Sequence, residues 1–349
     1  MVIIIIIKTF IIIIGRYIMK DSSYVRKHNI NIIRRILCSG ELYTKHNISE
    51  ITGLSVATCN TILNELERND EIIGSKQRFQ EVGRSTVVYQ LNKEHEYILC
   101  LYFEYVQKQK LMTYRVLSLC GNVVEMKKET LNIIDDSIIL DRVNQIVNRY
   151  TQITQILIGT PSIAENGVIR HCDIPELENA HIVEHLEQAF HIPTYMENDM
   201  HFKAYGYYKK ECTGQDIITL ANFPSGVLPG TATVVHGEVI KGTNQFAGMV
   251  GFLDYGMTRE QQIRYLQSDT FIPFAVKSVC SIIAILNPKK ILFTGDLFNN
   301  KEVQKVQKES RQVLPEEYMP ELIYIENIEP YYFEGMYQKA LDLKEELER

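Results

Sequence analysis

The segment from Gly53 to Asn69 restricts the fold of this chain more than any other stretch, because it combines helical periodicity with an unusual surface. Ser55 is a favourable N-cap for the helix that follows it. A helix that only covers a core usually carries charges outside, whereas one that enters the ~12 Å major groove needs short side chains near its N-terminus. The segment therefore predicts a recognition helix. Its apolar positions, at helical spacing, are Cys59, Ile62, Leu63 and Leu66, and its opposite face carries Val56, Ala57, Thr58, Asn60, Thr61 and Asn64.

The preceding residues predict the other helices of a helix-turn-helix domain. Thr44 is expected to cap a short helix, His46 to Thr52, with Ile48 and Ile51 pointing inward and a turn at Gly53. Upstream, Ser22 or Ser23 is placed to cap a first helix that spans Tyr24 to Cys38 and ends at Gly40.

Two short apolar runs after the recognition helix predict a β-hairpin. Ile72-Ile73 and Val87-Val88-Tyr89 flank a polar tip that contains Gly83 and Arg84. Two strands behind three helices indicate a winged helix, with Arg84 at the tip of the wing. A plain helical bundle is the alternative that spacing alone leaves open.

The charge distribution limits the partners that the chain can bind, and the cysteine content indicates the redox state of its compartment. The net charge is −6, yet residues 20–92 hold ten Lys/Arg against eight Asp/Glu, whereas residues 93–349 hold 25 against 35. Only the N-terminal part suits phosphates, and its charge of +2 is small enough that two copies in a dimer are expected to share the binding. Seven scattered cysteines indicate a reducing cytoplasm, without a disulfide framework or a zinc knuckle.

The first 18 residues form an apolar extension that differs from the rest of the chain. The run is shorter than the ~20 residues of a spanning helix, contains Lys8 and lacks a cleavage site. We interpret residues 1–18 as non-native and Met19 as the true start, with no membrane partner. A membrane anchor is the alternative.

After Asn92 the pattern changes to strands that alternate with helices, which predicts a mixed α/β sheet. One round runs from about Ile98 to a helix over Asp199–Tyr208. A second begins near Asp216 and ends with a helix from about Phe333. Two rounds indicate two lobes with a cleft between them.

Two groups of motifs follow one another along the chain. The N-terminal motifs are Arg26-Lys27-His28-Asn29, Thr52-Gly53-Leu54-Ser55 and Gly83-Arg84-Ser85. Those of residues ~95 to 345 are Gly159-Thr160-Pro161, Glu197-Asn198-Asp199, Gly230-Thr231, Gly242–Gly248 and Asn287-Pro288 before Ile291–Gly295. Both groups resemble the ROK family (repressor, open reading frame, kinase). Residues ~21 to 92 resemble the N-terminal domain of ROK repressors, although Thr61 stands where many relatives have Arg, so their operator sequence does not transfer.

The resemblance implies an α/β fold in which a winged helix-turn-helix (19–92) precedes a two-lobed, actin-like ATPase domain (95–349). The lobes would span approximately 95–212 with the C-terminal helix, and 213–330. The family's phosphate loops are replaced here by Leu101–Gln107, without glycine, and by Pro224–Gly230. Bulky side chains would keep phosphates from the backbone. We therefore expect no catalytic residue, although Asp199 matches the family base.

The resemblance also places a sugar-binding cleft at Asn179, Glu197, Asn198 and Asp199. Asp199 has a second interpretation as the N-cap of the next helix. The family's Gly-Glu-x-Gly-His motif reads Gly248-Met249-Val250-Gly251-Phe252 here, and its zinc loop is absent. We expect no metal and no cofactor.

These observations favour a cytoplasmic, homodimeric or higher-order DNA-binding regulator. It would repress a carbohydrate-use operon and respond to a sugar or sugar derivative. The residues expected on DNA are Ser55, Val56, Ala57, Thr58, Asn60, Thr61 and Arg84. The alternatives are an active ROK sugar kinase and a regulator that works without a ligand. The sequence leaves open the effector, the operator and the choice between repression and activation.

Overall fold

The computed structural model describes residues 24–77, 85–106, 109–165, 167–172 and 174–347, which divide between two compact units. The first unit comprises the chain up to Ile98, Val116–Glu125 and the segment from Leu341 onward. The second comprises Leu99–Arg115 and Met126–Ala340. Several expectations fall outside the described residues, namely those for residues 1–18, for the caps Ser22 and Ser23, and for the wing residues Gly83 and Arg84.

In the N-terminal unit, the capping residues that the sequence predicts mark where the helices begin and end. Thr44 caps the second helix in a reciprocal capping box with Asn47, and Gly53 ends it with φ = 71°. The Ser55 hydroxyl accepts from the Thr58 amide and so begins the third. The elements are α1 (24–37), β1 (Tyr43–Thr44), α2 (Lys45–Thr52), α3 (Val56–Arg68), β2 (Ile72–Gln77) and β3 (Thr86–Leu91), with antiparallel strand order β1-β3-β2.

The apolar stripes of α1, α2 and α3 form the core of this unit. The expectation that Ile51 points inward is wrong, because its side chain is 58% exposed whereas Ile48 is fully buried. Ile51 lies in the last turn of an eight-residue helix, rotated about 60° from Ile48. The buried residues of the three helices are Ile33, Leu37, Ile48, Cys59, Ile62, Leu63 and Leu66.

A five-stranded sheet with strand order β10-β7-β4-β5-β6 follows. Strands β7 and β10 run parallel, with Gly159 opposite Glu197 and Thr160 opposite Asn198. The elements are β4 (Tyr97–Val106), β5 (Gln109–Ser118), β6 (Val123–Leu131), α4 (Asp136–Arg149), β7 (Ile153–Thr160), β8 (Ile163–Glu165), β9 (Val168–Arg170), α5 (Ile182–Phe190), β10 (Thr194–Asn198) and α6 (Asp199–Glu211).

A second five-stranded sheet has strand order β13-β12-β11-β14-β15. Its β12-β13 hairpin turns at His236 and Gly237, both with positive φ. The last helix begins at Glu329, four residues before the predicted Phe333. The elements are β11 (Ile217–Asn222), β12 (Gly230–Val235), β13 (Glu238–Val239), α7 (Arg259–Tyr265), α8 (Ile272–Leu286), β14 (Lys290–Thr294), α9 (Asn300–Ser310), β15 (Glu321–Tyr324) and α10 (Glu329–Leu347).

Helices α6 and α10 cross with their backbones in direct contact. A Cβ added to Gly206 would lie 1.8 Å from the Tyr331 carbonyl oxygen, and one added to Gly335 would lie 1.9 Å from that of Phe202. Only glycine permits such an approach. This crossing fixes α10 against the helix that begins at the candidate effector site. Within the part of the chain that the structure describes, no helix combines the length and apolarity that a membrane crossing demands.

Candidate DNA-binding and effector sites

Helix α3 presents the small, polar face that the sequence predicts. Ser55 is the N-cap, and its Oγ lies 3.1 Å from the Thr58 amide nitrogen and 2.8 Å from Thr58 Oγ1. Ala57 and Thr61 are exposed, and the Thr61 hydroxyl donates to the Ala57 carbonyl at 3.0 Å. The N-terminal amides that remain after capping lie at the positive end of the helix dipole, where they are available to a phosphate. Val56, Thr58 and Asn60 are half-buried beside this exposed stripe.

An aromatic cluster occupies the strand on which the sequence resemblance predicts the first phosphate loop. Tyr102 of β4 is 1% exposed, and its ring centre lies 4.6 Å from that of Tyr332 and 5.3 Å from that of Phe333. The Tyr102 hydroxyl donates to Glu329 at 3.3 Å. Arg115 lies over the Phe333 ring, with its guanidinium carbon 3.2 Å from the ring centre. Packed aromatic rings therefore stand where a nucleotide site would need accessible backbone amides.

Glu197 is the centre of a buried hydrogen-bond network at the end of β10. Its side chain accepts from Tyr195 at 2.7 Å, from His201 Nδ1 at 2.8 Å and from Lys241 Nζ. Burial raises the pKa of Glu197, but the hydrogen bond from His201 and the charges of His201 and Lys241 lower it to about 2. Glu197 therefore remains ionised at neutral pH. Lys241 follows β13, so this ion pair joins the two sheets of the second unit.

Asn198, rather than Asp199, caps helix α6. The interpretation of Asp199 as the N-cap of α6 is wrong. Asn198 is the cap, with its Oδ1 2.9 Å from the Met200 amide nitrogen, because β10 runs through Asn198 and leaves Asp199 as the first helical residue. The Asn198 amide also donates to the Ser162 carbonyl at 2.9 Å. Asp199 forms an ion pair with Lys203, one turn along α6. Asp199 therefore does not cap the helix, and its carboxylate pairs with the ammonium group of Lys203.

Asn179 is held in a separate part of the first lobe. Its backbone has φ = 61°, its amide donates to the Ile169 carbonyl at 2.9 Å, and its side-chain oxygen accepts from Arg170. These partners belong to the β8-β9 hairpin. The structure therefore brings Glu197, Asn198 and Asp199 together at one strand end and anchors Asn179 in the neighbouring hairpin.

Side chains that the sequence reading did not single out complete the surroundings of Asp199. Lys203 stands four residues after Asp199 on α6, a spacing that predicts contact once the helix is recognised, whereas His201 contacts Glu197 of the preceding strand. Lys241 and Tyr332 come from distant segments and carry no local signal. At the Gly248–Phe252 motif, Phe252 and Phe246 form an exposed edge-to-face pair with ring centres 5.1 Å apart, and Arg259 lies over Phe252. Among the described residues, no group of three His, Cys, Asp or Glu is arranged to hold a metal ion.

Two α/β lobes behind a helix-turn-helix unit define a sugar-kinase-like protein with an added N-terminal domain. Residues 115–263 match the ROK family, so the chain contains a ROK-family domain. It is 20% identical to the xylose repressor of Bacillus spizizenii in a 246-residue alignment that covers 67% of this chain. The match spans 62% of that repressor's length.

Solved structures extend the comparison to the fold. A ROK family transcriptional regulator, described as a homologue of the E. coli MLC protein, superposes with a TM-score of 0.66 and 15% identity over 91% of this chain and 99% of its own. The ROK hexokinase of Thermus thermophilus gives a TM-score of 0.58 and 15% identity over 71% of this chain and 99% of its own. The predicted α/β fold and ROK resemblance are confirmed, and the regulator's fold covers more of the chain than the kinase's does.

Proposed function

We propose that this chain is a DNA-binding transcriptional regulator, a repressor whose ROK-like domain senses a small carbohydrate without phosphorylating it. The observation that carries the proposal is the pairing of α3, a capped helix with a small polar face, with a ROK domain whose first phosphate-loop position is filled by Tyr102, Tyr332 and Phe333. A groove-binding helix and a blocked nucleotide site together favour regulation over catalysis.

The proposed effector is a monosaccharide or a close derivative. The relative that is named a xylose repressor makes D-xylose the first candidate. Asp199, at the start of α6, offers a carboxylate to a sugar hydroxyl, and Asn198 and Glu197 hold the strand end that presents it. An effector changes DNA affinity only to the extent that it binds one conformation better than the other.

We also propose a cytoplasmic homodimer. The described cysteines are free thiols, which fits a reducing compartment. A winged helix with a charge of only +2 gains affinity when two copies bind adjacent half-sites. Sedimentation with and without operator DNA tests the stoichiometry.

Asn60→Ala is expected to weaken operator binding by ~1–3 kcal/mol and to relax the preference at one base position, since an Asn amide pairs bidentately with adenine. The thymine methyl suits Ala57 and the Thr58 methyl, so we expect an A·T-containing half-site. Footprinting on DNA that flanks the protein's own gene locates the site, and a titration over single-base variants measures both effects.

Asn148→Ala, which removes an exposed amide from α4, is the matched control and should leave DNA binding unchanged. Arg84→Ala should weaken binding across sequences and flatten its salt dependence. If the parent protein shows no saturable, sequence-dependent binding to DNA at low salt, the whole proposal is wrong. If Asn60→Ala and Arg84→Ala both bind the operator like the parent, only the assignment of these residues to the DNA grooves is wrong.

No ATP-dependent phosphorylation of D-xylose or of a panel of hexoses is expected. Phosphoryl transfer needs backbone amides that contact the phosphate oxygens, and the buried rings around Tyr102 would block that contact. A coupled assay for ADP release, with an active ROK hexokinase as the positive control, measures this directly. Sugar-dependent turnover that disappears in Asp199→Asn would identify a kinase instead.

A regulator that works without a ligand is distinguished by thermal shift. Sugar binding to the folded state raises Tm with ligand concentration, whereas a pure dimerisation platform shows no shift. The measurement requires only the purified chain and the same sugar panel.

A further inference from the structure

The hydroxyl of Tyr332 has an unusual position, because it is buried and has no hydrogen-bond partner among the described residues. The Tyr332 side chain, on α10, is 2% exposed. A buried hydroxyl without a partner loses its hydrogen bonds to water and gains none in return, so it destabilises the folded state. The neighbouring Tyr102 hydroxyl, in the same aromatic cluster, does have a partner in Glu329. The two tyrosine hydroxyls of this cluster therefore differ, since only that of Tyr102 is hydrogen-bonded.

The Tyr332 hydroxyl lies at the same strand ends as the candidate effector residues. A Cβ built on Gly159, the β7 residue opposite Glu197, would lie 1.9 Å from the Tyr332 oxygen. Lys203, which pairs with Asp199, has its Nζ 5.0 Å from the centre of the Tyr332 ring. Burial raises the pKa of the Tyr332 hydroxyl well above its ordinary value, and the negative charge of Asp199 raises it further. The phenol therefore remains a protonated donor within the electrostatic influence of Asp199.

These groups define the chemistry of a matching ligand. A neutral phenol donates a hydrogen bond, and an ionised carboxylate accepts one. An alcohol does both at once, because its oxygen accepts from Tyr332 while its proton is donated to Asp199. The carboxyl ends of adjacent parallel strands are also where α/β sheets bind ligands.

We infer that Tyr332, supplied by the C-terminal helix, contacts the carbohydrate effector by donating a hydrogen bond to one of its hydroxyl groups. The inference rests on the proposed function and adds a ligand-contacting residue outside the Glu197-Asn198-Asp199 motif. Because Tyr332 is buried, a ligand reaches it only when the surrounding side chains move. Binding is therefore coupled to a rearrangement around α10.

The test compares Tyr332→Phe with Tyr102→Phe, which removes a hydroxyl from the same aromatic cluster but breaks the bond to Glu329. Without sugar, we expect Tyr332→Phe to have a Tm equal to or above that of the parent, since no bond is lost. Tyr102→Phe should lower Tm by about 2 °C or more. Circular dichroism of the full chain measures both.

Calorimetric titration with D-xylose, L-arabinose, D-glucose and D-galactose provides the second measurement. The tightest sugar should bind Tyr332→Phe at least tenfold more weakly than it binds the parent. Equal affinity would overturn the role of Tyr332 while leaving the sensor intact, and a Tm loss like that of Tyr102→Phe would show that the hydroxyl already has a partner. If no sugar binds the parent, the carbohydrate-sensing function itself fails and the inference fails with it.

Discussion

Gly335→Ala is expected to destabilise the chain by about 3 kcal/mol or more, the upper end of the range for overpacking. In an exposed helix the same change would stabilise by up to ~1 kcal/mol, because alanine has the higher helix propensity. Here the new Cβ would lie 1.9 Å from the Phe202 carbonyl oxygen, which is backbone and cannot turn aside. Helices α6 and α10 would have to separate. Urea unfolding followed by circular dichroism measures the loss, since the chain has no tryptophan for fluorescence.

Gly230→Ala is the control for this prediction, because a Cβ at Gly230 has no atom within 4 Å and the residue needs no positive φ. It should change the free energy of unfolding by less than about 0.5 kcal/mol. Gly206→Ala, on the other side of the crossing, should resemble Gly335→Ala. Parent-like stability of both crossing variants would mean that α6 and α10 do not pack backbone to backbone.

Glu197→Ala is expected to cost about 3–5 kcal/mol, the range for removing one partner of a buried ion pair. The substitution leaves Tyr195, His201 and Lys241 without their shared acceptor in a site where Glu197 itself is only 5% exposed. Glu197→Gln keeps the shape and removes the charge, so its loss should be smaller. Urea midpoints at pH 7 give both values.

The contribution of the Glu197 charge should also depend on pH. The folded-state pKa of about 2 is below the ordinary value of 4.5, so the ionised form stabilises the folded state above pH 4.5. This stabilisation should decrease as the pH falls from about 4.5 towards about 2. The stability difference between the parent and Glu197→Gln should therefore decrease over the same acid range.

Glu316→Gln is the matched control, because its pair with Arg311 is solvent-exposed on both sides. Such surface pairs contribute at most about 1 kcal/mol. A pH-independent difference between the parent and Glu197→Gln would show that the carboxylate is not held ionised by His201 and Lys241.

Local features of the fold could be predicted from the sequence because neighbouring residues determine them. The caps Thr44 and Ser55 and the buried stripe of α3 depend on spacings of three and four residues. The inward orientation predicted for Ile51 is wrong because apolarity alone does not give the angle at which a two-turn helix meets its neighbours. Asn198 and Asp199 are both good caps, and the end of strand β10 decided between them.

The surroundings of the candidate effector site could be predicted only in part. Asp199 with Lys203 follows from the helical period, but Lys241 lies 44 residues from Glu197 and Tyr332 lies 230 residues from Tyr102. Contacts over such separations depend on how the two sheets and α10 pack, which single-sequence periodicity does not specify. The absence of glycine from Leu101–Gln107 was visible in the sequence, but the packing of Tyr102 against Tyr332 and Phe333 was not.

The aromatic cluster around Tyr102 also sets the order in which a nucleotide site would have to be engineered into this strand. Glycines introduced at Glu104 and Tyr105 would not open such a site, because Tyr102 would still pack against Tyr332 and Phe333. Removing those rings first would leave a cavity in a buried core and lower stability before any phosphate could bind. A design towards phosphate binding would therefore need stabilising substitutions elsewhere before the rings are removed.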